Sequence, residues 1–343
     1  MARLGGIVPL AVAAALLGAL APLVEARPFA AYLAALVGIN AILAVSLNVV
    51  NGMTGQFSIG HAGFMAVGAY SAGSLSRALA EVKLVGVPEL LSDQLLFVVS
   101  LLAAGVTAGT AGLLVGLPSL RLRGDYLAIV TLGFGEIVRV VVQNTESLGA
   151  ALGLSGVPQR ATAAMVWFWV VVVVLAAKRI AASPQGRSLL AIREDEIAAQ
   201  AMGVDTTAYK VHAFVVAAFF GGVAGGLFAH LVPVVNPGSF TFVKSIEIVV
   251  MVVAGGLGST TGAVVAAVAL TLLPEALRSA FTGLSGAESS ALAQRVDQVR
   301  MPVYGLLLVG LMLARPQGLF GRSEAWDHLP ALLRRLTARG GRA

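Results

Sequence analysis

The sequence predicts an all-α fold, a polytopic bundle of membrane helices, and three observations lead there. Of 343 residues, 58% are hydrophobic and only 12% are Asp, Glu, Lys or Arg. Soluble domains run at about 45–50% apolar and about 25% charged. Apolar runs long enough to cross a hydrocarbon core of about 30 Å follow one another along the chain. The 40 glycines suit membrane helices, whose contacts favour small residues. Mean hydropathy is +0.90. The chain has no cysteine, which excludes disulfides, thiolate metal sites and cysteine nucleophiles.

The runs lie near residues 5–24, 29–50, 62–80, 94–117, 125–143, 162–178, 212–232 and 302–316. The first ends in the small-residue stretch Val24-Glu25-Ala26, as a signal peptide would. Its apolar core of about 18 residues exceeds the 7–15 of a signal segment, so a retained helix is expected. Segment 245–276 is too long for one span and short for two, and Gly255–Gly262 (GGLGSTTG) lies in its middle. The expectation is two short helices reversing at the glycines, a broken or re-entrant pair, allowed only where protein or water covers the exposed backbone.

Counting that pair as two passes gives about ten crossings, N-in and C-in. Fourteen Lys and Arg then fall on inside segments and eight on outside loops, the asymmetry that sets orientation. Residues 1–343 read as a single transmembrane domain with a cytoplasmic loop near 184–211 and a basic tail near 317–343. The tail, ALLRRLTARGGR, is placed to meet anionic membrane lipid. The net charge of +6 lies in such segments and implies no nucleic-acid partner. There is no repeat of 20–50 residues and no GxxxxGK[ST], so this polypeptide carries no P-loop of its own.

One hydrophilic island interrupts the apolar pattern: REDEIAAQAMGVDTTAYK, Arg193 to Lys210. From Ser188 to Met202 the spacing predicts one helix. Leu190, Ile197, Ala198, Ala201 and Met202 share a face, and Arg193, Glu194, Asp195 and Glu196 crowd another. Gly203 suits the left-handed residue after a helix, and Asp205 suits the N-cap of the next. Such a wedge is either a solvated loop or a docking element, its small corner (Ala198, Ala199, Ala201, Gly203) entering a partner's groove. A stiff wedge tied to two spans can transmit rigid-body motion.

Polar groups inside apolar runs need a partner or a task, because a charge at mid-bilayer costs about 2.5–3.5 kcal/mol on insertion scales. Glu136 and Arg139 share a helical face. They fit an ion pair within the bundle, the lining of a substrate route, or a position near the headgroups. NGMTGQFSIGH, Asn51 to His61, sets Gln56, Ser58 and His61 among glycines. It reads equally as a broken helix on a substrate route or as a plain cytoplasmic turn. Lys244 and Glu247 read as an interfacial pair opening a half-helix, where the carboxylate complements the dipole. The four histidines are scattered without ligand-like spacing, so no metal site is expected.

The stretch IAAQAMG, Ile197–Gly203, resembles the EAA loop of ABC importer permeases. Ala198, Ala199 and Gly203 keep that spacing, whereas the Glu stands one place early, at 196, and the usual downstream Ile-x-Leu-Pro is absent. GRSLLAIREDEIAAQAMGVD (186–205) does not stand alone. GMTGQFSIGHAGFMAVGAY (52–70), LRLRGDYLAIVTLGFGEIVR (120–139), MVVAGGLGSTTGAVVAA (251–267) and ARPQGL (314–319) resemble the same family. That family is the LivM-type permease of branched-chain amino acid ABC importers, and the likeness covers about residues 30–320. It implies a permease subunit in the bacterial inner membrane that performs no covalent chemistry and holds no cofactor. ATP and Mg would be bound by two partner ATPases. A LivH-type second permease and a periplasmic or lipid-anchored amino-acid binding protein complete the implied set. The coupling residues would be Arg193, Glu194, Asp195, Glu196, Ala198, Ala199 and Gly203. Candidates for the substrate route are Gln56, Ser58, His61, Glu136 and Arg139. Near relatives within the family type carry urea or short amides, and an ion-coupled secondary transporter is the reading from another class.

Overall fold

The computed structural model describes residues 27–79, 88–120 and 126–285, plus isolated positions between 305 and 321. The expected first helix near 5–24, the run near 302–316 and the basic tail otherwise lie outside the described residues.

Helix α1, Pro28–Asn48, opens on a proline, whose missing N–H costs nothing in a first turn. It runs on through a π-helical segment, Val49–Thr54, which ends at Gly55 with φ of 72°. After a short extended stretch come α2, His61–Ala78, α3, Glu89–Ser119, and α4, Tyr126–Gln143. Helix α5, Ala163–Ala182, is N-capped by Thr162. Two short helices, α6, Pro184–Glu194, and α7, Glu196–Ala201, precede the long α8, Thr206–Ala229. The described chain closes with α9, Phe242–Gly255, and α10, Thr260–Ser285. Among the described residues, five stretches are long and apolar enough to cross a membrane: Pro28–Thr54, Leu91–Ser119, Tyr126–Gln143, Ala163–Ala182 and Thr206–Ala229. This is the architecture of a multi-pass membrane protein.

Helices α1 and α8 form the centre, α1 being buried almost without interruption from Val37 through Thr54. Glycine makes the packing around α8 possible. A Cβ at Gly68 of α2 would run into the Gly222 carbonyl, one at Gly225 into the Met65 carbonyl, and one at Gly222 into the Ala104 carbonyl. Three backbones therefore touch where side chains would hold them apart, the usual means of gaining dispersion energy between membrane helices. The outer helices show the complementary pattern. Leu91, Leu95, Leu102, Val106, Leu113 and Leu117 stand exposed along one face of α3, and Ile129, Ile137, Val140 and Val141 along α4.

The connections sort to two ends. At one end the α4–α5 and α8–α9 connections meet in a two-residue antiparallel ladder, β1 (Leu154–Ser155) with β2 (Val234–Val235). Arg160 binds Asp93 there at 2.8 Å, and the Ala161 N–H donates to the His230 carbonyl. These strands depart from the purely helical expectation. They form because apolar Leu154 and Val235 are both fully buried, leaving backbone groups that need partners. At the other end lie the π-helical segment, α6, α7 and the α9–α10 turn.

Segment 245–276 reverses at its glycines as expected, Gly256 and Gly258 having φ of 111° and 93°. The halves are unequal, however. Helix α9 has 14 residues, about 21 Å at 1.5 Å per residue. Helix α10 continues for 26 residues through Pro274 and is not the short helix expected.

Gly222→Leu is expected to lower the thermal midpoint of the detergent-solubilised protein. The substitution drives a side chain into backbone, and overpacking costs about 1–3 kcal/mol even where side chains can yield. Gly133→Ala is the control, since nothing lies within 4 Å of the added atom. Equal midpoints for the two variants would refute glycine-limited packing.

Candidate functional site

The polar island folds as two helices rather than one. Asp195 takes extended backbone (φ −156°, ψ 110°) and its side chain accepts from the Ile197 and Ala198 N–H groups, ending α6 and N-capping α7. Four consecutive charges cannot all face solvent from one amphipathic helix, and a capping aspartate gives the chain a lower-energy alternative. Helix α7 ends as the glycine predicts. Gly203 has φ of 86°, its N–H donates to the Gln200 carbonyl, and the Val204 N–H donates to the Ala199 carbonyl. This is a Schellman closure. Asp205 then N-caps α8 by accepting from the Ala208 N–H. The corner is braced by Glu196, which accepts from Lys210 at 2.6 Å, and by Gln200 donating to Thr206 at 2.9 Å.

The seven coupling candidates do not form one surface. Glu194, Ala198 and Gly203 are exposed, Ala199 is buried, Asp195 is spent on its cap and Glu196 on Lys210. Arg193 turns back into the bundle. The tip of the wedge is instead Ile197 (71% exposed) and Met202 (84% exposed). These two were legible as members of the apolar face, but nothing in the sequence says that this face points outward.

The α1 break is held by its own asparagines. The Ser58 N–H donates to Asn51 Oδ1 at 3.2 Å and Asn51 Nδ2 donates to the Ser58 carbonyl at 3.4 Å. The Gly258 N–H donates to Asn48 Oδ1 at 2.9 Å. Gln56 is half-buried, its N–H donating to Thr54. His61 is buried at the start of α2, its Nε2 2.8 Å from Ser46 Oγ. Gln56, Ser58 and His61 thus belong to one segment, which packs on α4 where the Ile59 N–H donates to Thr131.

Glu136 and Arg139 stay on α4. Arg139 Nε donates to Glu136 at 2.7 Å and its Nη1 to Gln143 at 3.2 Å. The pair joins no second helix among the described contacts. It sits on the least covered of the five long apolar helices, with its side chains 27% and 37% exposed.

Lys244 and Glu247, paired in the sequence reading, belong to a larger polar cluster whose other members, Asn40 and Thr271, that reading missed. Lys244 Nζ donates to Asn40 Oδ1 at 2.9 Å and to Glu247 at 3.4 Å, and Asn40 Nδ2 donates to Thr271 at 2.9 Å. The pair lies in the opening turns of α9, and Asn40 of α1 and Thr271 of α10 extend it, with the Glu247 side chain only 5% exposed. Asn40, an amide in the middle of the apolar run 29–50, was the available signal. Among the described residues no cluster of His, Cys, Asp or Glu could hold a metal ion.

Four stretches from distant parts of the chain converge beside the wedge. Arg193 reaches Gly52 at 2.7 Å, Gly52 packs on Gly258, and Gly318 packs on Gly256, with the Leu319 N–H donating to the Ala254 carbonyl. Residues 29–314 match the family model described as branched-chain amino acid transport system / permease component. The chain belongs to that permease family. It is 36% identical over 313 residues to the high-affinity branched-chain amino acid transport system permease protein LivM of Salmonella typhimurium, covering 81% of this chain and 67% of the relative. The Escherichia coli LivM protein is 34% identical over 322 residues, covering 84% and 69%. A probable LivM permease of Methanocaldococcus jannaschii is 25% identical over 205 residues, covering 56% and 57%. No solved structure matches. In this permease the convergence joins residues far apart in sequence into one connected unit.

Lys244→Met removes the cation 3.4 Å from the buried Glu247 carboxylate. Breaking one side of a buried pair costs about 3–5 kcal/mol, so this variant should unfold well below the parent. The double variant Lys244→Met/Glu247→Leu should recover most of the difference. Thermal unfolding in detergent decides, and a double variant no better than the single one would contradict the paired reading.

Proposed function

We propose that this chain is one permease subunit of an ATP-driven importer of branched-chain or other hydrophobic amino acids. The relatives' names supply the substrate class, and the joint described above supports the mechanism. The observation that carries it is the exposed wedge, α6–α7, sitting at the same end of the bundle as the breaks in α1 and between α9 and α10.

That end faces the cytoplasm in this proposal, following the Lys and Arg asymmetry. Two ATPase subunits grip the membrane pair, one of them through Ile197 and Met202. The opposite end, where residues 144–161 and 233–244 are joined by the ladder, receives the binding protein. Helix α4 turns its exposed face and its Glu136–Arg139 pair toward the second permease. A charged pair left open to lipid would be costly, and a partner helix or a water-filled path removes that cost. ATP and the docked binding protein then stabilise different bundle states, because only differential affinity moves an equilibrium. Glu136, the intramembrane acid a gradient-driven transporter would use, is already occupied by Arg139, which favours the ATP-driven reading.

Met202→Asp is expected to abolish co-purification of the ATPases while membrane insertion is retained. Undiminished association would remove the wedge from the docking surface. In proteoliposomes, the permease pair without its ATPases should show no concentrative leucine uptake, and accumulation driven by a proton gradient alone would support the rival. Because the chain lacks cysteine, orientation can be read from single introduced thiols. Gln200→Cys should react with an impermeant reagent only from the cytoplasmic side, and Ser155→Cys only from the outside; the reverse pattern would invert the topology.

A further inference from the structure

Arg193 occupies a place that a docking residue would not. It lies in the last turn of α6, yet its side chain is only 17% exposed. Its Nη1 donates to the Gly52 carbonyl at 2.7 Å and its Nη2 to Glu194 at 3.0 Å. The socket consists of glycines from two other parts of the chain. A Cβ at Gly55 would lie 2.7 Å from Arg193 Cγ, and one at Gly258 would lie 3.2 Å from Nη1.

The electrostatics explain the fit. The π-helical segment leaves α1 with a C-terminal end whose last carbonyls lack helical donors. Helix α9 ends at Gly255 and turns at Gly256–Gly258, bringing a second helix C-terminus to the same point. Both ends carry partial negative charge. The guanidinium bonds the α1 end at the Gly52 carbonyl and packs beside Gly258 of the turn that follows α9, while the Ala254 carbonyl of α9 accepts from the Leu319 N–H. Gly258 is tied in turn to Asn48, so the cation, the α1 end and the α9 end form one connected unit.

We infer that Arg193 is a positioning residue that passes movement of the ATPase-docking wedge to the broken ends of α1 and α9, rather than a contact with the ATPase itself. The inference rests on the ATP-driven reading given above. The wedge has two other attachments, through α5 and α8, but both are continuous helices or capped turns. Arg193 makes a non-covalent tie to the backbone where α1 is interrupted. A displacement of α6 along this tie pulls on the Gly52 carbonyl and on the turn behind it, the two places where the central helices are able to bend.

The test uses the complete importer, with both permeases, both ATPases and the binding protein, in proteoliposomes. Arg193→Ala should assemble normally and hydrolyse ATP, yet the amount of leucine carried per ATP should fall at least about tenfold, the scale of losing one charge-assisted hydrogen bond. Arg193→Lys, which keeps the charge but not the planar fork, should recover part of that ratio. Gly258→Leu should reproduce the loss with Arg193 unmutated, since the added side chain would displace the guanidinium from its socket. An unchanged ratio of transport to hydrolysis in Arg193→Ala would overturn the inference. So would loss of ATPase association in that variant, which would place Arg193 on the docking surface. If the unmutated permease fails to bind ATPases at all, the functional reading itself fails, and the two failures are thereby distinguished.

Discussion

Backbone that leaves helical geometry inside a packed bundle must find partners within the protein, and this structure is organised around meeting that demand. Both breaks in the central helices are furnished with donors or acceptors from neighbouring chain. Asn51 closes the stretch after the π-helical segment onto Ser58, Asn48 takes the Gly258 N–H, and Arg193 takes the Gly52 carbonyl. Irregular backbone at membrane depth is admissible only under such cover.

Glycine gives the same region its second property. Close backbone contact of α2, α3 and α8 fixes the centre of the bundle through Gly68, Gly222 and Gly225, and Gly52 likewise meets the Gly258 backbone, whereas Gly55 and Gly258 leave room for an arginine side chain. One residue type thus serves rigidity in one layer and a seat for a movable tie in another. The difference lies in what each missing Cβ would have met: carbonyls of neighbouring helices in the first case, a long flexible cation in the second.

Much of the architecture was legible from the chain alone. Apolar length located the long helices, Gly203 and Asp205 located the turn between α7 and α8, and the glycine run located the α9–α10 reversal. These are local properties, set by φ preference, capping and hydropathy. What was not legible depends on contacts across long sequence separations. Arg193 reads as part of a solvated charge cluster until Gly52 is seen 141 positions away. Lys244 pairs with Glu247 by spacing alone, but its bond to Asn40, and that of Asn40 to Thr271, join residues more than 200 positions apart. Asp195 illustrates a third case, a local signal outweighed by a stronger helical pattern, although aspartate followed by Glu-Ile-Ala-Ala is a competent N-cap. Of the substrate-route candidates, the structure gathers Gln56, Ser58 and His61 into one segment and leaves Glu136 and Arg139 on a separate helix.

The small ladder joining Leu154–Ser155 to Val234–Val235 has a bearing on how such a protein diverges. Its bonds come from main-chain atoms, so most substitutions at Ser155 and Val234, whose side chains point outward, leave it intact. A proline would delete a donor, and a one-residue insertion would exchange the inward and outward faces. Lineages can therefore rewrite the chemistry of this surface freely while inheriting its shape, provided that the lengths of the two connections drift together.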